Sequence, residues 1–529
     1  MKRLVILEGN YSTTRLLSQW KPEIVNEPDD KVKTMLFLPP HPERKGEGGL
    51  RTKGYFKYSY EIENGHWYAC DFRGQRLFEV ESPKGFNLDL EKFKCKDKVI
   101  RLPLVSVVTV VLNGKKYLED AIQSVLDQIY PNVEYVIIDG GSTDGTVDII
   151  RKYENCIDYW VSESDRGIYD ALNKGLSLVT GKIIGLLNAD DLYHISSLFK
   201  VINTFLKKEI EIAIYYGIAK YVIDNVVIKS VEKKFNKKRI LRGFGFLHTT
   251  CFVPIKVYQK IGYFDINYKI AGDTDFLLRC YISGTKFIKN NHITYMRLGG
   301  VSDKQIINGN KEYLQQLNKY KLADKKRLKI YRLLFISSLP FLKLRHSYRL
   351  RKFLLQIKFI LVSFINLTYN FLPIFYLKRI FLKTINIKIG KSSYIHPKVK
   401  FFNWGNIKIG QNTVINSGCY LDNRREISIG NNVSIAHDCK IYTLGHDVDS
   451  PFFETKGKSV KIEDNVVIFS NVLIMPGVTI KKGAVILPGS IVTKDVDSYS
   501  VMGGNPARCI RKRYKKFLYK IDYGYWKAL

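Results

Sequence analysis

Acidic residues are scarce in this chain, and in one stretch they almost vanish. Lys and Arg number 84 against 50 Asp and Glu, a formal net charge of +34. Between Lys321 and Lys383 the only acid is Asp324. Such an imbalance asks for an anionic partner: nucleic acid, an anionic membrane surface or a phosphorylated substrate. The chain lacks any recognised nucleic-acid motif, which sets the first aside. Paired cysteines are also missing. Cys70, Cys95, Cys156, Cys251, Cys280, Cys419, Cys439 and Cys509 are scattered, with no CxxC and no zinc spacing. A disulfide framework is not expected; reduced, buried thiols of a cytosolic protein are. The first apolar run, Leu4 to Leu7, ends at Glu8 and is too short for a secretory signal.

What is present is a six-residue beat near the C-terminus. Ile462, Ile468, Ile474, Ile480, Ile486 and Val492 stand six apart, preceded by Ile389/Ile395, Ile409/Ile415 and Ile429/Ile435/Ile441. A helix repeats near 3.6 residues and a half-buried strand at 2, so neither explains it. A solenoid of triangular coils does, with one aliphatic per short strand stacked inside. Gly390, Gly410, Gly430, Gly477, Gly483 and Gly489 recur near its corners. The beat breaks between Ile441 and Val460, where the polar loop Tyr442 to Phe453 carries His446. Imidazole titrates near neutral pH, which suits His446 as the general base for a hydroxyl attacking an acyl thioester.

Upstream, Val105 to Val111 reads as a buried parallel strand. A helix through Leu118, Ile122, Val125 and Leu126 follows, then strands at Val133 to Ile138 and Ile183 to Leu187. This alternation implies a parallel sheet with ligands at the strands' carboxyl ends. Carboxylates collect there: Asp139, Asp165, Asp190 within Asn188-Ala189-Asp190-Asp191, and Asp273. A nucleotide-diphosphate sugar needs such groups to accept from the base, to hold a divalent cation on the diphosphate and to take the acceptor's proton. Asp144 also fits as a helix cap, and Asp275 as the partner of Arg279 one turn on.

With Val107 to Asn113, Ile138 to Thr146, Asn188 to Asp191, His248, Asp273 and Arg297 to Ser302 in this order, residues 103–302 resemble family 2 glycosyltransferases of the GT-A fold. The resemblance implies that Val111, Asp139 and Asp165 hold the nucleoside. It implies Asp190 as the main ligand of Mn2+ or Mg2+, with Asn188 and Ala189 beside it in the position of the DxD motif. Asp273 would be the catalytic base, His248 an acceptor contact or a core histidine, and Arg297, in a mobile loop, a partner of the leaving diphosphate. Asn188 stands where that motif has its first carboxylate.

Residues 385–513 resemble the hexapeptide-repeat, left-handed β-helix O-acetyltransferases of the maltose and colanic-acid type. The matching residues are Asn416, Leu421-Asp422, Thr443 to Asp447, Ile474 to Val478, Ser490 to Val496 and Gly503 to Arg508. This resemblance implies His446 as base, Asn416 and Asp422 in the acceptor pocket, and acetyl-CoA along the coil past Ser470 and Ser490. Lys494, Arg511 and Arg513 would pair with its phosphates. It also implies a homotrimer.

The expected fold class is therefore multi-domain: an α/β, Rossmann-like GT-A domain at 103–310 and a left-handed parallel β-helix at 385–515. A basic, apolar helical linker at 311–384 joins them, an accessory region of unknown role occupies 1–102, and a basic tail closes 516–529. Phe359 to Leu377 carries no acid and no base until Lys378 but is broken by Pro373, so interfacial binding, a packed linker and a membrane span are all open. The expected function is sugar transfer to a glycan or lipid-linked oligosaccharide plus O-acetylation, at the inner face of the cell membrane. A glycosyltransferase with a purely trimerising coil and a non-catalytic basic adaptor are the alternatives.

Overall fold

A computed structural model of the chain describes all residues except 1, 8, 10, 84–88, 96–98, 301–304, 325, 334, 336–347, 515–518 and 522–529. The chain divides into two compact units, Met1–Leu339 with Asp449–Phe452, and Pro340–Val448 with Phe453–Leu529.

The first unit is built around Val105–Val111, every residue of which is buried. It pairs in parallel with Ile183–Asn188 on one side and Val133–Asp139 on the other, and Val133–Asp139 pairs with Tyr159–Ser162. A strand enclosed on both faces reads as an unbroken apolar run, as this one does. Helices Leu118–Leu126 and Ile168–Leu178 turn their apolar faces into the two cores. The sheet is mixed rather than wholly parallel. Cys251–Pro254 runs antiparallel between Ile183–Asn188 and Ala213–Ile223, and Lys286–Arg297 lies beyond. Tyr159–Ser162 is a strand the sequence pattern passes over, because four residues are too few to show a period. Ile183–Asn188 is thus the fourth strand of the parallel set, and it returns to lie beside the first. Strand order reverses at that point, so a crevice opens at the ends of Val105–Val111 and Ile183–Asn188.

Residues 2–102 form a five-stranded sheet and also supply Gly46–Gly48, an edge strand antiparallel to Tyr159–Ser162. Its glycines are required by contact: a Cβ on Gly48 would lie 2.7 Å from the indole nitrogen of Trp160. Tyr60, Trp67 and Leu102 share one core with Val105 and Val133. Arg51 reaches across to Glu134 at 2.6 Å, both side chains nearly fully buried.

In the second unit the short strands stack into three parallel sheets. One sheet contains Ile427–Ile429, Val460–Ile462 and Thr479–Ile480; the second, Ser434–Ile435, Val467–Ile468 and Val485–Ile486; the third, Lys440–Ile441, Leu473–Ile474 and Ile491–Val492. This is a parallel β-helix of the hexapeptide-repeat kind. Ile468, Ile474, Ile480 and Ile486 are wholly enclosed, which is the physical meaning of the beat. The recurrent glycines serve two purposes. Gly477, Gly483 and Gly489 take positive φ at corners, a conformation that Asn432, Asn465 and Asn471 also adopt. Gly390, Gly410 and Gly430 instead form a column in which a Cβ would collide with the next coil.

The stretch read as one linker at 311–384 divides. Its start lies in the helix Ile306–Lys319 of the first unit, whereas Tyr348–Phe371 and Phe375–Thr384 belong to the second. There, Tyr369 donates to Ile395 O at 2.6 Å and the Asn366 amide brackets the Phe401 backbone. Asn366 and Asn370, which weaken a membrane span in the sequence, are the polar pins of this packing.

Candidate active sites

The crevice of the first unit is assembled by loops laced to one another. Asn113, held at positive φ, receives Thr143 N–H on its side chain and donates its own N–H to the Ser142 hydroxyl. Asp139 is fully buried. It accepts from Gly141 N at 3.1 Å, Ser142 N at 2.9 Å, the Ser162 hydroxyl at 2.6 Å and the Ser142 hydroxyl. Four donors fill a carboxylate's acceptor sites, so here Asp139 shapes the Gly140–Ser142 loop from behind and is not an open acceptor. Likewise the Val111 carbonyl is occupied by Gly140 N–H. Asp165 remains half-buried against Gly140, where any Cβ would strike its carboxylate. Burial outweighs lowering by the Gly167 N–H and Lys174 and, with smaller help from the Asp170 and Asp139 charges, leaves its carboxyl above the ordinary range.

Asp190 and Arg297 are brought together. The Arg297 guanidinium donates to Asp190 O at 3.2 Å and to Asp120 at 2.6 Å, and lies 4.4 Å from the Tyr117 ring centre. Its backbone N–H reaches Asp191. Arg297 is the last residue of the strand Lys286–Arg297 and is fastened on several sides, which corrects the expectation of a mobile loop. Asp191 is buried. Burial first, then the adjacent Asp190 charge, pushes its carboxyl well above the usual range. It accepts from the Asn188 amide at 3.1 Å, and Asn188, Ala189 and Asp190 are each partly exposed. One carboxylate and one amide oxygen suit a small hard cation that completes its shell with phosphate and water. Among the described residues no cluster of three or more His, Cys, Asp and Glu could hold a metal unaided.

Asp273 opens the helix Gly272–Ile282, and its Oδ2 lies 2.7 Å from His248 Nδ1. His248 is thereby placed on the candidate base and not in a sealed core. Asp273 is partly buried, and desolvation would raise its carboxyl, but the His248 ring and the Thr274 N–H outweigh it and hold it below its usual value. It is ionised at neutral pH and able to accept a proton. Sequence reasoning missed the support for this residue. Glu312 accepts from the N–H groups of Ala271 at 2.7 Å, Ile270 at 3.0 Å and Lys269 at 3.1 Å. Gln316 binds Ala271 O at 2.7 Å and Thr274 at 2.9 Å. No motif marks either residue; only packing of Ile306–Lys319 beside the loop reveals them. As the sequence suggested, Asp144 accepts from Thr146 N–H at the next helix, and Asp275 pairs with Arg279 at 2.8 Å.

In the second unit, the break in the beat forms a small hairpin in which Gly445–His446 pairs with Thr455–Lys456. His446 Nδ1 lies 2.8 Å from Phe453 O, and its ring stacks on Phe453 at 4.4 Å and 2°. A carbonyl can only accept, so Nδ1 carries a proton, and in the neutral ring the lone pair falls on Nε2. The exposed imidazole is thus fixed in the tautomer of a base. Asp422 is fully buried, held by Arg424 at 2.7 and 2.9 Å, and accepts from Thr443 N and Leu444 N. It anchors the root of the His446 loop and cannot meet an acceptor sugar directly, a correction to the sequence reading. Asn416 donates to Ile435 O at 3.0 Å. Among the expected CoA contacts, Ser490 is fully buried and bonds Leu487 O, so its hydroxyl is turned inward. Arg513 is bound to Asn465 O, Gly483 O and the Tyr519 hydroxyl. Ser470 is partly exposed, and Lys494 and Arg511 are exposed on the coil.

The family model for glycosyl transferase family 2 matches residues 106–261. An uncharacterized glycosyltransferase of Mycobacterium tuberculosis is 30% identical over 182 residues, 34% of this chain and 68% of that protein. Through this region the chain belongs to glycosyl transferase family 2. A PGL/p-HBAD biosynthesis glycosyltransferase of Mycobacterium bovis is 28% identical over 228 residues, covering 41% of this chain and 84% of the relative. The bacterial transferase hexapeptide model, six repeats, matches residues 459–494. A maltose O-acetyltransferase structure from Clostridium difficile is 31% identical, covers 31% of this chain and 89% of its own, and superposes with a TM-score of 0.29. A family 2 glycosyltransferase region and a hexapeptide-repeat transferase region are thus fused in one polypeptide.

Proposed function

We propose that the chain is a bifunctional transferase of bacterial surface-glycan assembly, with one activity in each unit. In the first, a nucleotide-diphosphate sugar occupies the crevice beside Asp165, Asp190 and Arg297. Asp190 and Asn188 would hold Mn2+ or Mg2+, whose charge offsets that of the diphosphate. Asp273, its proton-accepting form favoured by His248, takes the proton of the acceptor hydroxyl as that oxygen attacks the anomeric carbon from the opposite face. The configuration inverts. Arg297 would offset the charge that gathers on the departing diphosphate.

In the second unit, His446 Nε2 takes a proton from a sugar hydroxyl, which attacks the acetyl-CoA carbonyl without a covalent enzyme intermediate; the C–S bond breaks and CoA leaves as the thiol, taking the proton back from His446. Asp422 and Arg424 steady the loop that presents it. Lys494 and Arg511, both exposed on the coil, would pair with CoA phosphates, and three coils would assemble as a homotrimer. Joining both activities keeps one glycan close to two active sites. The observation that carries this reading is the pair of fixed proton acceptors, Asp273 on His248 and His446 on the Phe453 carbonyl.

The test is donor hydrolysis and transfer across a panel of nucleotide sugars, alongside thioester consumption with acetyl-CoA. Asp273→Asn should abolish the first and spare the second; His446→Ala should do the reverse. A wild-type protein that never consumes acetyl-CoA with any glycan acceptor would reduce the coil to a scaffold.

A further inference from the structure

The second unit exposes an apolar stripe that its own fold leaves uncovered. On the helix Tyr348–Phe371, the side chains of Phe353, Ile357, Ile360, Phe364, Leu367 and Phe371 are all exposed, Ile360 at 68%, Phe364 at 67% and Phe371 at 77%. Their spacing of four and three residues places all six within a stripe about 80° wide on a 3.6-residue helix. Val362, Asn366 and Tyr369 lie on the opposite side and are the residues that meet the coil. Phe359 adds an edge contact to Phe402 at 5.9 Å. After a break at Pro373 the helix Phe375–Thr384 repeats the division. Phe375 and Leu382 are buried, while Tyr376, Leu377 and Ile380 are exposed.

The charge around this stripe is of one sign. From Asp324 to Asp422 the sequence contains no acid between those two residues, and it carries nineteen Lys and Arg. Lys352 and Lys383 are exposed at the two ends of the helix pair.

We propose that the helices Tyr348–Phe371 and Phe375–Thr384 lie flat in the headgroup region of an anionic lipid bilayer, with the Phe353-to-Phe371 stripe and Tyr376, Leu377 and Ile380 inserted. Apolar residues on one face and cations at its rim are the two features such binding needs. A bilayer span is disfavoured by the opposite face. Its segment Lys352–Phe371 is long and apolar enough for a span, yet the helix is hydrogen-bonded to the coil through Asn366, Tyr369 and Asn370 along its second half. Crossing the bilayer would strip those bonds and carry polar backbone of the coil into hydrocarbon. A second copy is also a poor occupant, because two such faces would bring their cations together with no acid in the segment to offset them.

The test uses the full chain purified without detergent. Flotation with phosphatidylglycerol/phosphatidylcholine vesicles should carry the protein up, whereas pure phosphatidylcholine vesicles should leave it at least tenfold less bound. Ile360→Glu with Phe364→Glu, and separately Lys352→Glu with Lys383→Glu, should each reduce bound protein at least tenfold with an unchanged circular dichroism spectrum. Bound wild type should be released by carbonate at high pH. Equal binding to neutral vesicles, binding indifferent to both variant pairs, or resistance to carbonate would each overturn the proposal. So would loss of self-association, in place of loss of vesicle binding, in the Glu variants, since the stripe would then be an interface between copies.

Discussion

Arg51 offers a direct measure of how far the N-terminal residues are part of the catalytic unit. Its guanidinium lies 2.6 Å from Glu134 and 3.0 Å from Leu36 O, and the Arg51 and Glu134 side chains are 3% and 2% exposed. Removing one member of a buried pair costs about 3–5 kcal/mol, because the other is left charged and dry. Glu134 keeps the Ser106 and Thr180 hydroxyls and Thr180 N–H at 2.9 Å as donors, so Arg51→Met should fall at the lower end, about 3 kcal/mol. For a unit of this size that is about 4 °C in the calorimetric transition of the first unit.

The pH dependence carries a sign. In the native protein burial would raise Glu134, but Arg51 and the donors outweigh it and hold its carboxyl below the usual value. That stabilisation is present above the unfolded pKa and is lost as pH falls through the lowered folded one. Without Arg51, burial dominates and the folded pKa rises. The variant then gains stability relative to wild type as pH drops from 8 to 5. Nearby, burial pushes Asp158 up to about 7 and Lys57 down to about 8. Arg51 is one of the charges that lower Asp158, so its removal raises that carboxyl further and adds to the same trend. Arg51→Met with Glu134→Gln should recover at least half of the loss. A cost under about 1 kcal/mol, a deficit that does not shrink at low pH, or no recovery in the double variant would refute the reasoning.

Asp190→Asn should lower sugar transfer at least a hundredfold and shift the required Mn2+ concentration upward, measured by product formation against metal titration. His248→Gln removes the group that holds Asp273 low, so the acidic limb of kcat/KM for sugar transfer should move to higher pH; an unmoved limb would sever the pair from catalysis. Glu312→Ala should reduce kcat of sugar transfer with little change in donor KM, since it loosens the loop that delivers Asp273 and touches no donor group. Asp422→Asn should weaken acetyl transfer by roughly tenfold through the His446 loop, and His446→Ala by about 10²–10⁴-fold, both read by thiol release from acetyl-CoA and both leaving sugar transfer intact.

Repetition and periodicity made much of this protein legible in one dimension. The beat from Ile462 to Val492 is forced by a geometry in which each short strand turns one side chain inward, so its spacing states the coil directly. Val105 to Val111 announces a strand enclosed on both faces, and His446 announces itself by interrupting the repeat. Three things were decided only in space. Whether a carboxylate is accessible or serves the fold depends on which donors surround it, which is why Asp139 and Asp422 prove enclosed while Asp190 is partly exposed. The support of Asp273 by Glu312 spans some forty residues, and no local pattern records such a pairing. The N-terminal residues carry no period, yet Arg51 and Gly48 fit partners around a hundred residues away, because burial of charge and close ring contact are properties of the folded core and not of neighbouring letters.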